Sequence, residues 1–155
     1  MEEDTKKVIL TISATVIFLI CWVTSPALSQ RVICGPSDVI LNSIEKQFAE
    51  RETERGVEDE NAMLVLFTVN MRGEWSLLIS PKSDPTALCS PVTGKSWTQE
   101  YNKSSGVAFD GSIVTVNFDE NGIWRMYYLD NNTGNLQMLM QGYNWERLWK
   151  FDKSL

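Results

Sequence analysis

The spacing of apolar residues predicts one helix near the start of the folded chain. Ile40, Ile44 and Phe48 recur every four residues, which places them on one face of a helix. The preceding Gly35-Pro36-Ser37-Asp38 contains residues that favour a first helical turn. We therefore expect an amphipathic helix over about residues 37–52.

After this helix, apolar positions alternate in short runs that predict strands. Residues 62–69 are apolar at nearly every position, as in a strand buried on both faces. Alternating runs follow at residues 74–80 and 86–92, separated by turns. Residues 53–61 and 97–106 are polar and are interpreted as connections.

The second half of the chain gives a similar pattern. Strands are predicted at residues 113–118, from Trp124 to Tyr128, and at residues 136–140. Asn121-Gly122 is a strong hairpin signal between the first two of these strands. A final segment, residues 142–149, is expected to close this unit.

Tryptophans mark an internal repeat. Gly-x-Trp at Trp75 recurs at Trp124, 49 positions later, and Gly-x-x-Trp at Trp97 recurs at Trp145, 48 positions later. A constant period on such rare residues indicates one sheet unit used twice. We interpret Trp75 and Trp124 as inward anchors, and Trp97 and Trp145 as residues that close each unit.

These patterns predict an α+β fold, in which one N-terminal amphipathic helix packs on antiparallel meanders. Two three-stranded Gly-x-Trp units are expected, and the pattern leaves open whether they form one sheet, a sandwich or a barrel. The predicted organisation is a leader over residues 1–29, the helix with the first β unit over 30–97, and the second β unit over 98–155.

The leader is interpreted as an export signal. Lys6 and Lys7 precede an uncharged apolar run, and Ala27-Leu28-Ser29 offers small residues for cleavage. An uncleaved inner-membrane anchor is the alternative, and it would be the protein's one contact with a membrane. Both interpretations place the folded part outside the cytoplasm, in the periplasm or secreted.

Two cysteines, Cys34 and Cys89, remain after the leader. In an oxidising compartment an even count is most simply explained by one disulfide. A redox-active pair is the alternative, but such pairs usually have C-x-x-C spacing.

Composition narrows the chemistry. The 155 residues include no histidine, which excludes Ser-His-Asp catalysis and His-ligated metals. A net charge of −6, with scattered basic residues, argues against a nucleic-acid partner. We predict no cofactor, no metal and no recognisable catalytic set.

Asn117–Gly122 resembles part of a calcium loop, but Tyr128 stands where the bidentate Glu belongs, and a hairpin turn explains the segment.

Three aromatic residues near the C-terminus, Tyr143, Trp149 and Phe151, form the candidate surface for a ligand or partner. An acidic run over residues 50–60 is interpreted as a solvated helix end and loop. Its carboxylates, Glu50 and Asp59 among them, are the candidates for a carboxylate-dependent hydrolase.

The order of motifs over residues 34–97 resembles a group of small exported proteins of bacteria and phages. The matching features are Cys34, a helix through Phe48, Gly73-Glu74-Trp75, Cys89 and Gly94-Lys95-Ser96-Trp97. The group has no established activity, so the resemblance implies export and a disulfide but no catalytic residues.

The leading hypothesis is a non-enzymatic exported protein that binds a component of the cell envelope, most simply a protein. The alternatives are a carbohydrate- or peptidoglycan-binding module with exposed tryptophans, and the carboxylate-dependent hydrolase.

Overall fold

The structure is a computed structural model that describes residues 32–150. Nine strands and one helix follow in chain order: β1 (Ile33–Pro36), α1 (Ser37–Phe48), β2 (Arg51–Glu58), β3 (Leu64–Val69), β4 (Trp75–Ile79), β5 (Ala87–Gln99), β6 (Lys103–Ala108), β7 (Ile113–Phe118), β8 (Trp124–Leu129) and β9 (Leu136–Arg147). All of the strand pairings are antiparallel.

Eight of these strands form a closed barrel. The sheet order is β1-β5-β4-β3-β2-β9-β8-β7-β6, and β6 also pairs with β5, which closes the ring. The strand β1 lies outside the ring and adds to the edge of β5. The predicted α+β fold of two three-stranded meanders is therefore wrong, and the fold is a mostly β, eight-stranded antiparallel barrel with one short helix.

The prediction failed because two strands of the barrel carry mostly small or polar residues on their inward faces. In β2 and β6, which were interpreted as connections, the inward positions include Gly56, Ser104 and Gly106. A Cβ atom at Gly56 would lie 2.6 Å from Nε1 of Trp124, and one at Gly106 would lie 2.4 Å from Nε1 of Trp75. These positions are small because indole rings from other strands fill the space above them.

The tryptophans occupy equivalent places in the two halves. Trp75 Nε1 donates to the Lys95 carbonyl at 3.0 Å, and Trp124 Nε1 donates to the Tyr143 carbonyl at 3.1 Å. The backbone N–H of Trp97 donates to the Gly73 carbonyl, and that of Trp145 donates to Gly122. We call the half formed by β2–β5 the first unit and the half formed by β6–β9 the second unit.

The helix α1 covers the outside of the first unit. Ile40 and Ile44 pack on Leu66, Leu78 and Leu88, which project outward from β3, β4 and β5. The helix ends at Phe48, earlier than predicted, because Ala49 adopts a left-handed conformation and its N–H caps the Glu45 carbonyl.

Cys34 and Cys89 form a disulfide between register partners of β1 and β5. The predicted pairing is confirmed, and it indicates a non-cytoplasmic, oxidising location, because such bonds rarely persist in the cytosol. Within residues 32–150, no helix has the length and apolar character needed to cross a membrane.

Candidate functional site

Aromatic rings fill the interior of the barrel. Trp75, Trp97 and Trp124 are fully buried and Trp145 is nearly so. The ring centroids of Trp75 and Trp97 are 5.3 Å apart, and those of Trp124 and Trp145 are 5.2 Å apart, which is contact distance for aromatic pairs. These four residues are structural, as predicted, and none of them presents a face to a ligand.

A buried carboxylate lies beside this aromatic core. The side chain of Glu54 is 0% exposed. Its Oε1 accepts hydrogen bonds from Gln99 Nε2 at 2.6 Å and Ser104 Oγ at 2.7 Å, and its Oε2 accepts one from Trp145 Nε1 at 3.2 Å. Arg147 Nε lies 3.6 Å from Oε1, so a cation balances the buried charge.

The sequence placed Glu54 in a solvated acidic run, and that interpretation is wrong. The residue lies on β2 and joins both halves, because Gln99 belongs to β5, Ser104 to β6 and Arg147 to β9. An available signal was the alternation of Glu54, Gly56 and Glu58, which has the period of a strand. Every acceptor oxygen of Glu54 is already bonded, which fits a structural role better than a reactive one.

A second buried carboxylate, Glu50, lies outside the barrel below the end of α1. Burial raises its pKa, while hydrogen bonds from Thr68 and Ser76 oppose that rise and nearby Glu74 adds to it. Thr68 Oγ1 donates to Glu50 Oε2 at 2.6 Å. A small cleft of about 180 Å³ adjoins the residue, lined by Leu41, Glu45, Glu50, Arg51, Glu52 and Thr68.

The two carboxylates proposed for a hydrolase are not brought together. Glu50 precedes β2 and Asp59 follows it, so the eight residues of β2 separate them. At about 3.3 Å per residue, the nine steps from Glu50 to Asp59 span up to roughly 30 Å. Asp59 instead accepts a hydrogen bond from the side chain of Gln141 at 3.0 Å.

Tyr143 and Trp149, from the predicted aromatic surface, are both partly exposed beside β2. Tyr143 is 40% exposed and lies opposite Val57 in the β2–β9 ladder. Trp149 is 38% exposed, and its N–H donates to the Thr53 carbonyl. The third member, Phe151, lies outside the described residues.

A surface cleft that the sequence did not indicate lies at the turn between β7 and β8. Its volume is about 360 Å³, and it is lined by Tyr101, Asn102, Phe118, Asp119 and Glu120. Tyr101 is 82% exposed. In the segment considered for calcium, Asp119 Oδ1 accepts hydrogen bonds from the backbone N–H groups of Asn121 and Ile123. Such bonds from an aspartate to the following backbone are typical of turns.

Comparisons with protein-family models, curated proteins and solved structures find no match. The resemblance of residues 34–97 to small exported proteins therefore stays a prediction, and the site can be argued from its geometry alone.

Proposed function

We propose that this chain is a non-enzymatic accessory protein of the cell envelope, periplasmic or secreted, that binds another envelope protein through the outside of its barrel. The observation that carries the proposal is the filled interior. Barrels of eight strands can hold a small ligand inside, but here four tryptophans take that space. Binding is thereby moved to the exterior.

The surface we assign to this partner is the one around Tyr143 and Trp149. Leu148 between them is also exposed. Aromatic side chains contribute disproportionately to protein interfaces, because they bury a large area at a low cost in side-chain entropy. The predicted export leader and the disulfide support an extracytoplasmic place of action.

The test is capture from a solubilised envelope fraction on the immobilised chain. We expect the wild-type chain to recover a partner. The double variant Tyr143→Ser/Trp149→Ser should recover at least roughly tenfold less of it, as for a hot spot of about 2 kcal/mol. Tyr101→Ser, which removes an exposed aromatic residue elsewhere, is the matched control. Equal recovery by all three chains, or none above a denatured control, refutes the proposal.

A glycan-binding role is the second candidate, and the cleft at Tyr101 is the feature that favours it. An exposed aromatic ring beside Asn102, Asp119 and Glu120 combines an apolar face with hydrogen-bonding groups, as ligand clefts do. Co-sedimentation with insoluble peptidoglycan tests this role. It requires retention of the wild-type chain and loss on Tyr101→Ala, with Tyr143→Ala unchanged.

A further inference from the structure

On one side, the first half of β9 pairs with no strand of residues 32–150. Residues 142–147 pair with β2, and the N–H of Asp59 reaches the Gln141 carbonyl. Residues 136–140 pair with β8 alone among the described strands. We call Leu136–Met140 the open edge.

The first unit shows how the equivalent edge is covered. Alignment on the paired positions Trp75–Gly94 and Trp124–Gly142 makes Leu88, Cys89 and Ser90 equivalent to Leu136, Gln137 and Met138. In β5 the residues 87–90 pair with β1. The second unit has no counterpart of β1 within the described chain, so no strand of residues 32–150 pairs with the backbone N–H and C=O groups of this edge.

The open edge is apolar where solvent exposure would favour polar residues. Leu136 is 66% exposed and Met138 is 54% exposed, and Leu139 is exposed as well. Natural sheets usually protect such edges with charges, prolines or covering segments. Here the residue equivalent to Pro91 is Leu139, which restores a backbone N–H group.

Sequence differences between the units separate the edge from the neighbouring face. Leu66 and Leu78, which lie under α1, correspond to Thr115 and Tyr127, so the face that has no helix carries hydroxyl groups instead. At the edge, the second unit is instead the more apolar one, because Met138 stands where the first unit has Ser90. The uncovered face is adapted to water, whereas the open edge is adapted to an apolar contact.

The bulge in β9 does not block the edge. The β8–β9 register shifts at Leu139, and the β4–β5 register shifts at the equivalent place. The strand β5 still pairs with β1 immediately before its bulge, over residues 87–90. The corresponding ladder on β9 covers residues 135–138.

The segment around the open edge carries no charged residue, and this bears on what the edge can pair with. Residues 131–145 contain no Asp, Glu, Lys or Arg, although 22% of the chain is charged and the net charge is −6. A strand that pairs with its own copy brings like charges together wherever it carries any, and this segment carries none. The segment also has no charged side chain that could form an ion pair with a charged partner.

We propose that the open edge binds the open edge of a second copy, antiparallel about a two-fold axis. The register is centred on Gln137, which occupies the position of the disulfide residue Cys89. Leu136 of one copy then lies opposite Met138 of the other, so that four apolar side chains cluster on the outer face. This contact is independent of the proposed partner surface at Tyr143 and Trp149.

Sedimentation velocity of the full chain over a range of concentrations tests the proposal without any partner. We expect a dimer that Met138→Lys converts to a monomer, because the variant places two ammonium groups beside the same axis. Phe109→Lys is the matched control, since Phe109 is a similarly exposed apolar residue in the turn between β6 and β7 and its variant should remain dimeric. Far-UV circular dichroism verifies that both variants are folded.

A cysteine cross-link tests the register. Gln137→Cys should form a disulfide-linked dimer on oxidation, as Cys34 and Cys89 do at the equivalent pair, while Gln141→Cys on the part of β9 already covered should not. Peptide mapping under non-reducing conditions identifies the bond. A wild-type chain that stays monomeric at high micromolar concentration, or equal cross-linking of both variants, overturns the proposal.

Discussion

At the scale of single residues, the molecule depends on small side chains set against large ones. Gly56 lies against Trp124 and Trp145, and Gly106 lies against Trp75 and Trp97. Each glycine is therefore part of the core, although no hydrophobicity pattern can show it. The sequence revealed the large partners through their period, but it could not reveal which small residues they face.

We predict that Gly106→Ala destabilises the barrel by about 1–3 kcal/mol or more, the usual cost of overpacking. Its new methyl carbon would lie 2.4 Å from Trp75 Nε1 and 2.7 Å from Trp97 Cε3, and neither ring has room to move. Urea denaturation followed by tryptophan fluorescence measures the loss. Gly35→Ala is the control, because its methyl carbon would meet only the flexible end of Ile40 at 3.3 Å. Equal stability of the two variants would contradict this account.

The raised pKa of Glu50 predicts a dependence of stability on pH. A carboxyl group whose pKa is raised by folding holds its proton more tightly in the folded chain. Its favourable contribution is complete below its ordinary pKa of 4.5 and is lost as pH rises through the folded value.

The free energy of unfolding of the wild-type chain should therefore fall, relative to Glu50→Gln, as pH rises above the ordinary carboxyl pKa of 4.5. The glutamine keeps an acceptor for Thr68 without the charge. Urea titrations at several pH values measure the difference, and Glu60→Gln, at an exposed position, serves as the reference for general charge effects. A difference that is flat or that grows with pH would show that burial of Glu50 does not control its titration.

At the scale of elements, the strands with apolar alternation were predictable and those without it were not. The strands β3, β4, β7 and β8 lie close to their predicted ranges, because their inward positions carry Val, Phe, Trp and Met. The strands β2 and β6 were missed, because their inward positions carry Glu, Ser, Gly and Ala. They are also the strands that close the ring, so missing them changed the predicted fold class.

The same limit applied to the candidate site. Tyr143 and Trp149 stand out as aromatic residues and are partly exposed, while their role as a partner surface stays a prediction. The open edge could not be predicted, because residues 136–140 show the alternation of an ordinary core strand. Only the ladder shows which side of that strand lacks a neighbour.

The disulfide holds β1, the smallest element, on β5. Replacing both Cys34 and Cys89 with Ser should cost about 4 kcal/mol, as expected in the entropic model for a cross-link that closes 55 residues. Urea denaturation with and without reductant measures this cost. The reductant should lower the wild-type stability to that of the variant and leave the variant unchanged. A loss below about 1 kcal/mol would mean that other contacts hold β1 in place.

At the scale of the whole molecule, each unit is completed by the other. The strand β2 of the first unit pairs with β9, and β5 pairs with β6 of the second unit. Glu54 of β2 also bonds to the second unit, because it accepts hydrogen bonds from Ser104 of β6 and Trp145 of β9. The barrel should therefore fold as one cooperative body despite its internal repeat.

We predict that residues 30–99 alone are unfolded, because their terminal strands lose their neighbours and Gly56 loses the rings of Trp124 and Trp145. Urea titration followed by circular dichroism measures this, and the full chain should give a single cooperative transition. Addition of residues 100–155 should restore the native signal. A cooperative transition in the first fragment alone would show that the unit is autonomous.

The disulfide also bears on the proposed edge-to-edge assembly, because it holds β1 over residues 87–90 of β5. While β1 stays paired with β5, residues 87–90 are covered, and the proposed pairing of open edges joins two copies. Reduction that releases β1 exposes residues 87–90 as a second edge, related to the first by the internal repeat. A molecule with two free strand edges can bind one partner at each edge, so its assembly would be an open chain and not a closed dimer. If the open edge binds a second copy as proposed, the bond between Cys34 and Cys89 would therefore limit the number of copies that assemble edge to edge.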